Sequence, residues 1–426
     1  MDKTNVKYNA YLQILEEELV PAMGCTEPIA IAYGAAKARE LLGELPDQVV
    51  VEASGNIIKN VKSVVVPNTG GLHGIEAAAA AGVVAGQPEL LLEVISRVTP
   101  EQQGEMRTYL KEHPVRVEFL DGDLVFDIQI TLTKGERTAK VRIANYHTNI
   151  VRMERNGEIL LDLPVEADDE SGLTDRTLLT MSDIYDFAQT VDIGDVKELL
   201  DRQIECNTAI AREGLTHSYG ASIGQVIQAV SPADDPIARA KSAAAAGSDA
   251  RMGGCEMPVI INSGSGNQGI TASVPVIVYG REMRVSEEKL YRALVLSNLI
   301  TIHQKTRIGR LSAYCGAVSA GAAAGAGIAY LDGGGYEEII HTVVNALAIV
   351  SGMICDGAKA SCAGKIAAAI DAGVLGYRMY QNGQQFYGGD GILSHGVEKT
   401  LDNVGRLGKI GMRSTDKEIL QIMLQT

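Results

Sequence analysis

The sequence predicts an α+β fold, with a predominantly helical domain and a smaller α/β domain formed by the middle of the N-terminal half. Apolar residues recur at helical spacing over most of the chain from about 180 to 426. Runs rich in β-branched residues are instead concentrated between about 48 and 165. Hydrophobic residues make up 46% of the 426 residues, which is typical of a globular chain with a large core.

The N-terminal segment contains two predicted helices. Residues 6–20 repeat apolar side chains at helical spacing. A second helix is predicted from Glu27 to about Leu42, because Pro28 suits the first turn of a helix. We therefore expect residues 1–45 to form N-terminal helices that pack on the larger helical domain.

The small α/β domain is predicted to span residues 46–170. Its β-branched and apolar runs favour strands at 49–51, 64–66, 115–119, 124–130 and 139–143, with helices at about 73–85 and 100–112. The acidic, glycine-containing stretch Glu166–Gly172 is the predicted linker that follows it.

The third predicted region, residues 171–426, is mostly helical. The clearest helices are expected at 194–213, 236–247, 286–305, 336–351 and 364–373. The tracts Ala243–Ala246 and Ala320–Gly325 predict close helix crossings, since small side chains let two backbones approach each other.

Composition excludes several classes of function. The formal net charge is −15 and no Lys/Arg-rich stretch occurs, so nucleic acid is not an expected partner. The N-terminus lacks an apolar signal segment, and the apolar runs are too short or too rich in glycine for membrane spans. We expect a cytoplasmic protein whose thiols stay reduced, where clustered cysteines indicate metal binding or catalysis before disulfides.

Three cysteines in the last quarter of the chain lie among glycine and alanine: Cys315, Cys355 and Cys362. Three thiolates can hold an iron–sulfur cluster and leave one iron free to bind a substrate. Their spacing matches neither a ferredoxin nor a zinc ribbon, so spacing alone favours buried, inert cysteines. Cys206 and Cys255 lack comparable neighbourhoods and are assigned to that inert class.

Cys25 directly precedes the predicted second helix. Unpaired N–H groups and the helix dipole at that position favour a thiolate. The residue is a candidate general base, proton donor or provisional cluster ligand. An unreactive cysteine beside a helix cap remains the alternative.

Three glycine-containing polar loops are candidate carboxylate-binding sites. Ser263–Gly269 follows a strand-like run, and its successive N–H groups carry little side-chain bulk, which favours an anion cradle. Pro67–Gly71 is a similar loop and Ser54–Asn56 a weaker one. Ser263–Gly269 is not interpreted as a dinucleotide fingerprint, because the strand–helix context differs and no βαβ unit surrounds it. Ordinary Gly/Ser loops are the alternative for all three.

The segments Gly24–Pro28, Ser263–Gly269 and Cys355–Lys359 together resemble the L-cysteine desulfidase family, formerly an uncharacterised protein family. The resemblance runs over nearly the whole chain. The C-terminal half is also similar to the α-domain of the oxygen-sensitive, iron–sulfur L-serine dehydratases. In that pattern the gap between the last two cysteines is longer than it is here.

The resemblance implies a helical iron–sulfur catalytic domain at 171–426. Its [4Fe–4S] cluster would be held by Cys315, Cys355 and Cys362, and Cys25 would be catalytic. The implied reaction is α,β-elimination of L-cysteine to hydrogen sulfide, ammonia and pyruvate. Cys25, its pKa lowered by the helix end, would remove the Cα proton. The expected substrate-binding residues are Thr26, Asn68, Thr69, Ser265, Asn267 and Gln268.

Several alternatives stay open at the level of sequence. L-Serine dehydration at the same cluster is one. Elimination on a pyridoxal Schiff base at Lys359 or Lys365 is disfavoured, because no convincing phosphate cup accompanies a lysine. A non-catalytic helical protein for metal storage or scaffolding is a third. The expected partner is a small amino-acid substrate, and a homodimer is one assembly that the sequence leaves open.

Overall fold

A computed structural model of the chain describes residues 1–122, 124–166 and 172–425. It confirms the α+β, mostly helical fold class. The helices are α1 (Val6–Glu18), α2 (Thr26–Leu42), α3 (Gly55–Val61), α4 (Gly74–Ala85), α5 (Pro100–Glu112), α6 (Met181–Thr190), α7 (Ile193–Thr216), α8 (Ile223–Val230), α9 (Pro236–Met252), α10 (Gly266–Glu282), α11 (Glu287–Ile308), α12 (Gly316–Leu331), α13 (Tyr336–Val350), α14 (Cys362–Gln381), α15 (Val397–Arg406) and α16 (Arg413–Gln425). The strands are β1 (Pro21–Met23), β2 (Gln48–Ala53), β3 (Val115–Phe119), β4 (Asp127–Lys134), β5 (Arg137–Ala144), β6 (Ile150–Arg155), β7 (Glu158–Asp162) and β8 (Pro258–Ile260).

The region predicted as a small α/β domain contains a six-stranded sheet in the order β3-β2-β4-β5-β6-β7. β2 and β3 are parallel and the other pairs are antiparallel. Helix α2 packs on this sheet, and a Cβ on its Gly34 would lie only 2.9 Å from Ile130 Cδ1. Within the predicted linker, residues 167–171 lie outside the described residues.

Several strand assignments differ from the sequence prediction. Residues 64–66 do not form a strand; only Val65 pairs, in an isolated bridge with His73. The segment is a buried loop between α3 and α4, and burial rather than sheet pairing explains its apolar character. β6 and β7 were not predicted, because their charged side chains suit the solvent-facing end of a sheet.

A two-stranded antiparallel sheet of β1 and β8 joins the N-terminal segment to the helical domain. β8 leads through the loop at 261–265 into α10, so the local order is strand–loop–helix, contrary to the context inferred from the sequence. The dinucleotide interpretation is still excluded at this loop, because among the described strands β8 pairs with the antiparallel β1 alone.

Helices in the C-terminal half of the chain cross closely at small residues, as the alanine and glycine tracts predict. A Cβ on Gly321 would lie 2.6 Å from the carbonyl carbon of Ala369, and one on Gly325 would lie 2.6 Å from that of Gly373. α12 and α14 therefore touch backbone to backbone. Among the described helices, none is both long enough and apolar enough to span a membrane.

Candidate active site at a cysteine-lined cavity

Four of the six cysteines line one cavity of about 100 Å³. They are the three predicted cluster ligands Cys315, Cys355 and Cys362, together with Cys25. Of the predicted substrate-binding residues, Ser265, Asn267 and Gln268 line the same cavity. Residues far apart in the sequence are thus brought to a single place.

Backbone pairing brings Cys315 next to Cys355. Tyr314 and Ile354 form an isolated antiparallel bridge. The Cys315 N–H donates to the Met353 carbonyl at 3.1 Å, and the Cys355 N–H donates to the Ala313 carbonyl at 2.6 Å. The two cysteines are therefore fixed on adjacent strand-like segments.

The crossing of α12 and α14 brings in Cys362. Gly321 meets Ala369 and Gly325 meets Gly373 with the same offset, so the two helices run in the same direction. Their N-termini must then lie at the same end. Cys315 is the N-cap of α12 and Cys362 is the first residue of α14, so the crossing places both at the cavity.

The three thiols interact electrostatically. Burial raises the pKa of Cys315 to about 12, and the neighbouring Cys355 and Cys362 add to the shift. Burial also raises the pKa of Cys362, with a contribution from Cys355. Such thiols stay protonated near neutral pH unless a metal displaces the proton.

The donor set fits an iron–sulfur cluster better than a single ion. Across the described ranges, no three His, Cys, Asp or Glu side chains are close enough together to hold one metal ion. A [4Fe–4S] cluster binds each thiolate through a different iron, so its ligands lie farther apart than those of one ion. Thiolates are soft ligands that suit iron–sulfur clusters rather than magnesium or calcium.

Cys25 is the N-cap of α2, as predicted, but its electrostatics differ from the prediction. It is 3% exposed, and its Sγ–H donates to Glu27 Oε2 at 3.0 Å. Burial, followed by the negative charge of Glu27, raises the pKa of Cys25 well above its ordinary value. The expectation that the helix end lowers this pKa is wrong, because loss of water and the adjacent carboxylate outweigh the helix dipole.

Asn267 and Gln268 lie on the first turn of α10, whose N-cap is Ser265. Asn267 Oδ1 and Gln268 Oε1 are buried and have no hydrogen-bond partner in the part of the chain that the structure describes. A Cβ on Gly316 would lie 2.6 Å from Gln268 Cδ, so this amide rests on the first turn of α12 beside Cys315. These amide groups are available to a ligand.

Three other predicted binding residues contact backbone. Thr26 Oγ1 donates to the Gly264 carbonyl at 2.8 Å and links α2 to the glycine loop. Asn68 Nδ2 donates to the Ile95 carbonyl at 2.9 Å, and Thr69 Oγ1 donates to the Val66 carbonyl at 2.7 Å. The structure does not bring Thr26, Asn68 or Thr69 to the cavity lining, and their role in substrate binding stays a prediction.

Among the further polar residues of the cavity that were not assigned from the sequence are Glu27, Asn60, Arg251 and Lys305. Glu27 Oε1 accepts a hydrogen bond from Asn60 Nδ2 at 3.1 Å, which orients the carboxylate that holds Cys25. Burial lowers the pKa of Lys305 to about 8, against the opposing effect of Cys355 and Cys315. The sequence offered a signal for Glu27, which lies in the segment Gly24–Pro28 beside Cys25.

The two lysines considered for a Schiff base are both engaged. Lys359 and Lys365 form ion pairs with Asp356, and Lys365 Nζ also donates to the Ile354 carbonyl at 2.9 Å. They tie the loop after Cys355 to the start of α14. This geometry gives them a structural role around the cysteines.

Comparisons with known proteins identify relatives along the whole chain. A family model described as serine dehydratase alpha chain matches residues 89–421. A UPF0597 protein of Desulfitobacterium hafniense is 62% identical over 100% of this chain and 98% of its own length. UPF0597 proteins of Lachnoclostridium phytofermentans and Treponema denticola are 51% and 48% identical, over 98% and 100% of this chain and 100% and 99% of their own lengths.

Proposed function

Because the chain belongs to the serine dehydratase alpha-chain family, we propose that it is a lyase acting on L-cysteine. The products are hydrogen sulfide and aminoacrylate, which becomes pyruvate and ammonia. The observation that carries the proposal is the convergence of Cys315, Cys355 and Cys362 on one cavity, although no motif spacing links them. The cavity is small, in keeping with a substrate of a few heavy atoms.

Cys315, Cys355 and Cys362 would hold a [4Fe–4S] cluster. When bound, the cluster would supply a Lewis acid at its fourth iron, which stabilises the departing sulfur. Cys315 and Cys362 sit at the N-termini of α12 and α14, where unpaired N–H groups favour the thiolates that such a cluster requires. Because a soft metal prefers sulfur to oxygen, cysteine is favoured over serine as substrate.

Cys25 acts on the Cα proton. Its thiol is protonated in the free protein, and Glu27 Oε2 is the acceptor within hydrogen-bonding distance. Transfer of the thiol proton to Glu27 leaves a thiolate that can accept the proton from Cα. Asn60 holds Glu27 and so fixes the direction of the Cys25 Sγ–H bond.

A pair of variants tests the two roles. Cys355→Ala should lose the brown chromophore and its iron after anaerobic reconstitution, because one of three ligands is gone. Cys25→Ala should keep both but lose turnover of L-cysteine. Cys206→Ala is the matched control, since Cys206 lies on α7 away from the cavity and should change neither property. Bleaching by Cys25→Ala would instead make Cys25 a ligand.

L-Serine is the second candidate substrate, and the family match favours it. The same cavity and the same cysteines would serve the loss of water instead of sulfide. The ratio of kcat/KM for L-cysteine to that for L-serine, measured on the reconstituted protein, decides between them. A ratio below one would overturn the desulfidase assignment but leave the lyase proposal intact.

A further inference from the structure

Arg251 is a buried cation without a counter-ion. Arg251 is 2% exposed, and its side chain forms no ion pair or hydrogen bond within the described ranges. Two other buried cations are paired, Arg176 with Glu18 at 2.8 Å and Lys59 with Asp416. Lys305, which lines the same cavity, is also buried without an ion pair among the described residues. An unpaired charge removed from water is costly, so Arg251 is electrostatically incomplete until an anion arrives.

The two other buried charges of the cavity do not complete it. Glu27 accepts hydrogen bonds from Cys25, Thr26 and Asn60 and is not paired with Arg251. Lys305 is itself positive and cannot serve as a counter-ion for Arg251. Its ammonium is a point charge, whereas a guanidinium offers two parallel donors, so Arg251 is the better match for a carboxylate.

The position of Arg251 supplies a second attraction for an anion. It lies in the last turn of α9, and a Cβ on Gly266 would come within 2.7 Å of its Cζ. The guanidinium thus rests on the first turn of α10, where N–H groups and the helix dipole also favour negative charge. Asn267 and Gln268, with their unpartnered amide oxygens, stand on the same turn.

The class of ligand follows from the chemistry of the guanidinium and from the nearby cysteines. A guanidinium binds a carboxylate through two parallel hydrogen bonds. The Gln268 side chain reaches from this turn of α10 to Gly316, which is next to Cys315. A ligand that contacts both Arg251 and the cysteines must therefore be short. Resting on the function proposed above, we propose that Arg251 binds the α-carboxylate of the substrate and so limits the site to free amino acids.

Binding without turnover tests this directly. L-Alanine has no leaving group, and L-alaninamide differs from it by loss of the carboxylate charge. Calorimetry on the anaerobically reconstituted wild-type protein should show L-alanine binding more tightly, by on the order of 100-fold for a buried charge pair. Equal affinities would overturn the proposal without any mutation.

Variants then show which residue causes the preference for L-alanine over L-alaninamide. Arg251→Met should abolish the preference for L-alanine, and Arg251→Lys should retain part of it. Arg239→Met removes a half-exposed arginine from the same helix, where it pairs with Glu282, and should leave the preference intact. The same loss in Arg239→Met and Arg251→Met would indicate a nonspecific charge effect and overturn the assignment.

Kinetics separate this inference from the proposed reaction. Arg251→Met should lower kcat/KM for L-cysteine by on the order of 100-fold but barely change that for its methyl ester. Equal losses for both substrates would make Arg251 structural and refute the proposal. The wild type could turn over neither L-cysteine nor L-serine and still bind L-alanine more tightly than L-alaninamide through Arg251. That result would refute the proposed reaction and support the proposed carboxylate site.

Discussion

Replacing Gly325 by alanine tests whether the α12–α14 crossing brings the cysteines together. The added methyl group would lie 2.6 Å from the carbonyl carbon and oxygen of Gly373. Ordinary van der Waals contact begins near 3.4 Å, so the two helices must separate by about 0.8 Å. Because the obstacle is backbone, no side-chain rotation can relieve it.

The expected cost follows from two opposing effects. Overpacking a tight interface destabilises by about 1–3 kcal/mol. Glycine-to-alanine replacement inside a helix recovers about 1 kcal/mol. Gly364→Ala on the partner helix α14 supplies the control, since a Cβ there meets nothing within 4 Å. The difference between the two variants should therefore be about 1–3 kcal/mol, with the helix preference cancelled.

Urea unfolding of the two variants measures that difference. Iron and sulfide content after reconstitution measures the consequence, because separating the helices also moves Cys315 away from Cys362. We expect Gly325→Ala to be the less stable variant and to bind less iron. Equal stability and equal iron content would refute the argument that this crossing sets the geometry of the site.

Two further predictions concern buried charges. Asp416→Ala should lower the free energy of unfolding by about 3–5 kcal/mol in urea unfolding. The change leaves the buried Lys59 without its carboxylate and removes the acceptor of the Ala313 N–H. A loss below about 1 kcal/mol would contradict this prediction. Burial raises the pKa of Asp249 to about 6 from 3.8, so its ionisation opposes folding above about pH 6 and the penalty fades as pH falls towards 3.8. Asp249→Asn should therefore be more stable than wild type by up to roughly 3 kcal/mol near pH 8 and equal to it below about pH 4. The same difference at both pH values would show that charge is not the cause.

Much of the fold was predictable because its signals are local. Helical periodicity located α7, α9, α11, α13 and α14, although α9 ends five residues and α14 eight residues beyond the predicted end. The predicted relation to the serine dehydratase alpha chain is confirmed by the family match. The error at 64–66 has a physical reason: an apolar run shows burial, and burial alone does not separate a strand from a packed loop.

The site was only partly predictable because its geometry is nonlocal. The cysteines could be named, but their convergence depends on the Tyr314–Ile354 bridge and on the parallel crossing of two helices. No spacing rule contains either contact. Arg251 was missed for the same reason, since it follows a buried alanine tract and nothing in the sequence tells which face carries it.

The wrong prediction for the pKa of Cys25 has a different physical cause. Glu27 stands two residues later, so a repulsive carboxylate was visible in the motif, while the depth of burial was not. A helix N-terminus stabilises a thiolate by about 0.3–1 kcal/mol at an exposed site. Burial of the thiol acts in the opposite direction and is the larger effect.

Helix ends explain how an acidic chain can hold a site for anions. The formal net charge is −15, which alone would repel thiolates and carboxylates. Yet Cys25, Ser265 and Cys315 are the N-caps of α2, α10 and α12, and Cys362 opens α14. Four positive helix ends therefore face one cavity, and the groups that line it lie within the single turn over which each helix end acts. The local field, rather than the net charge, decides what binds there.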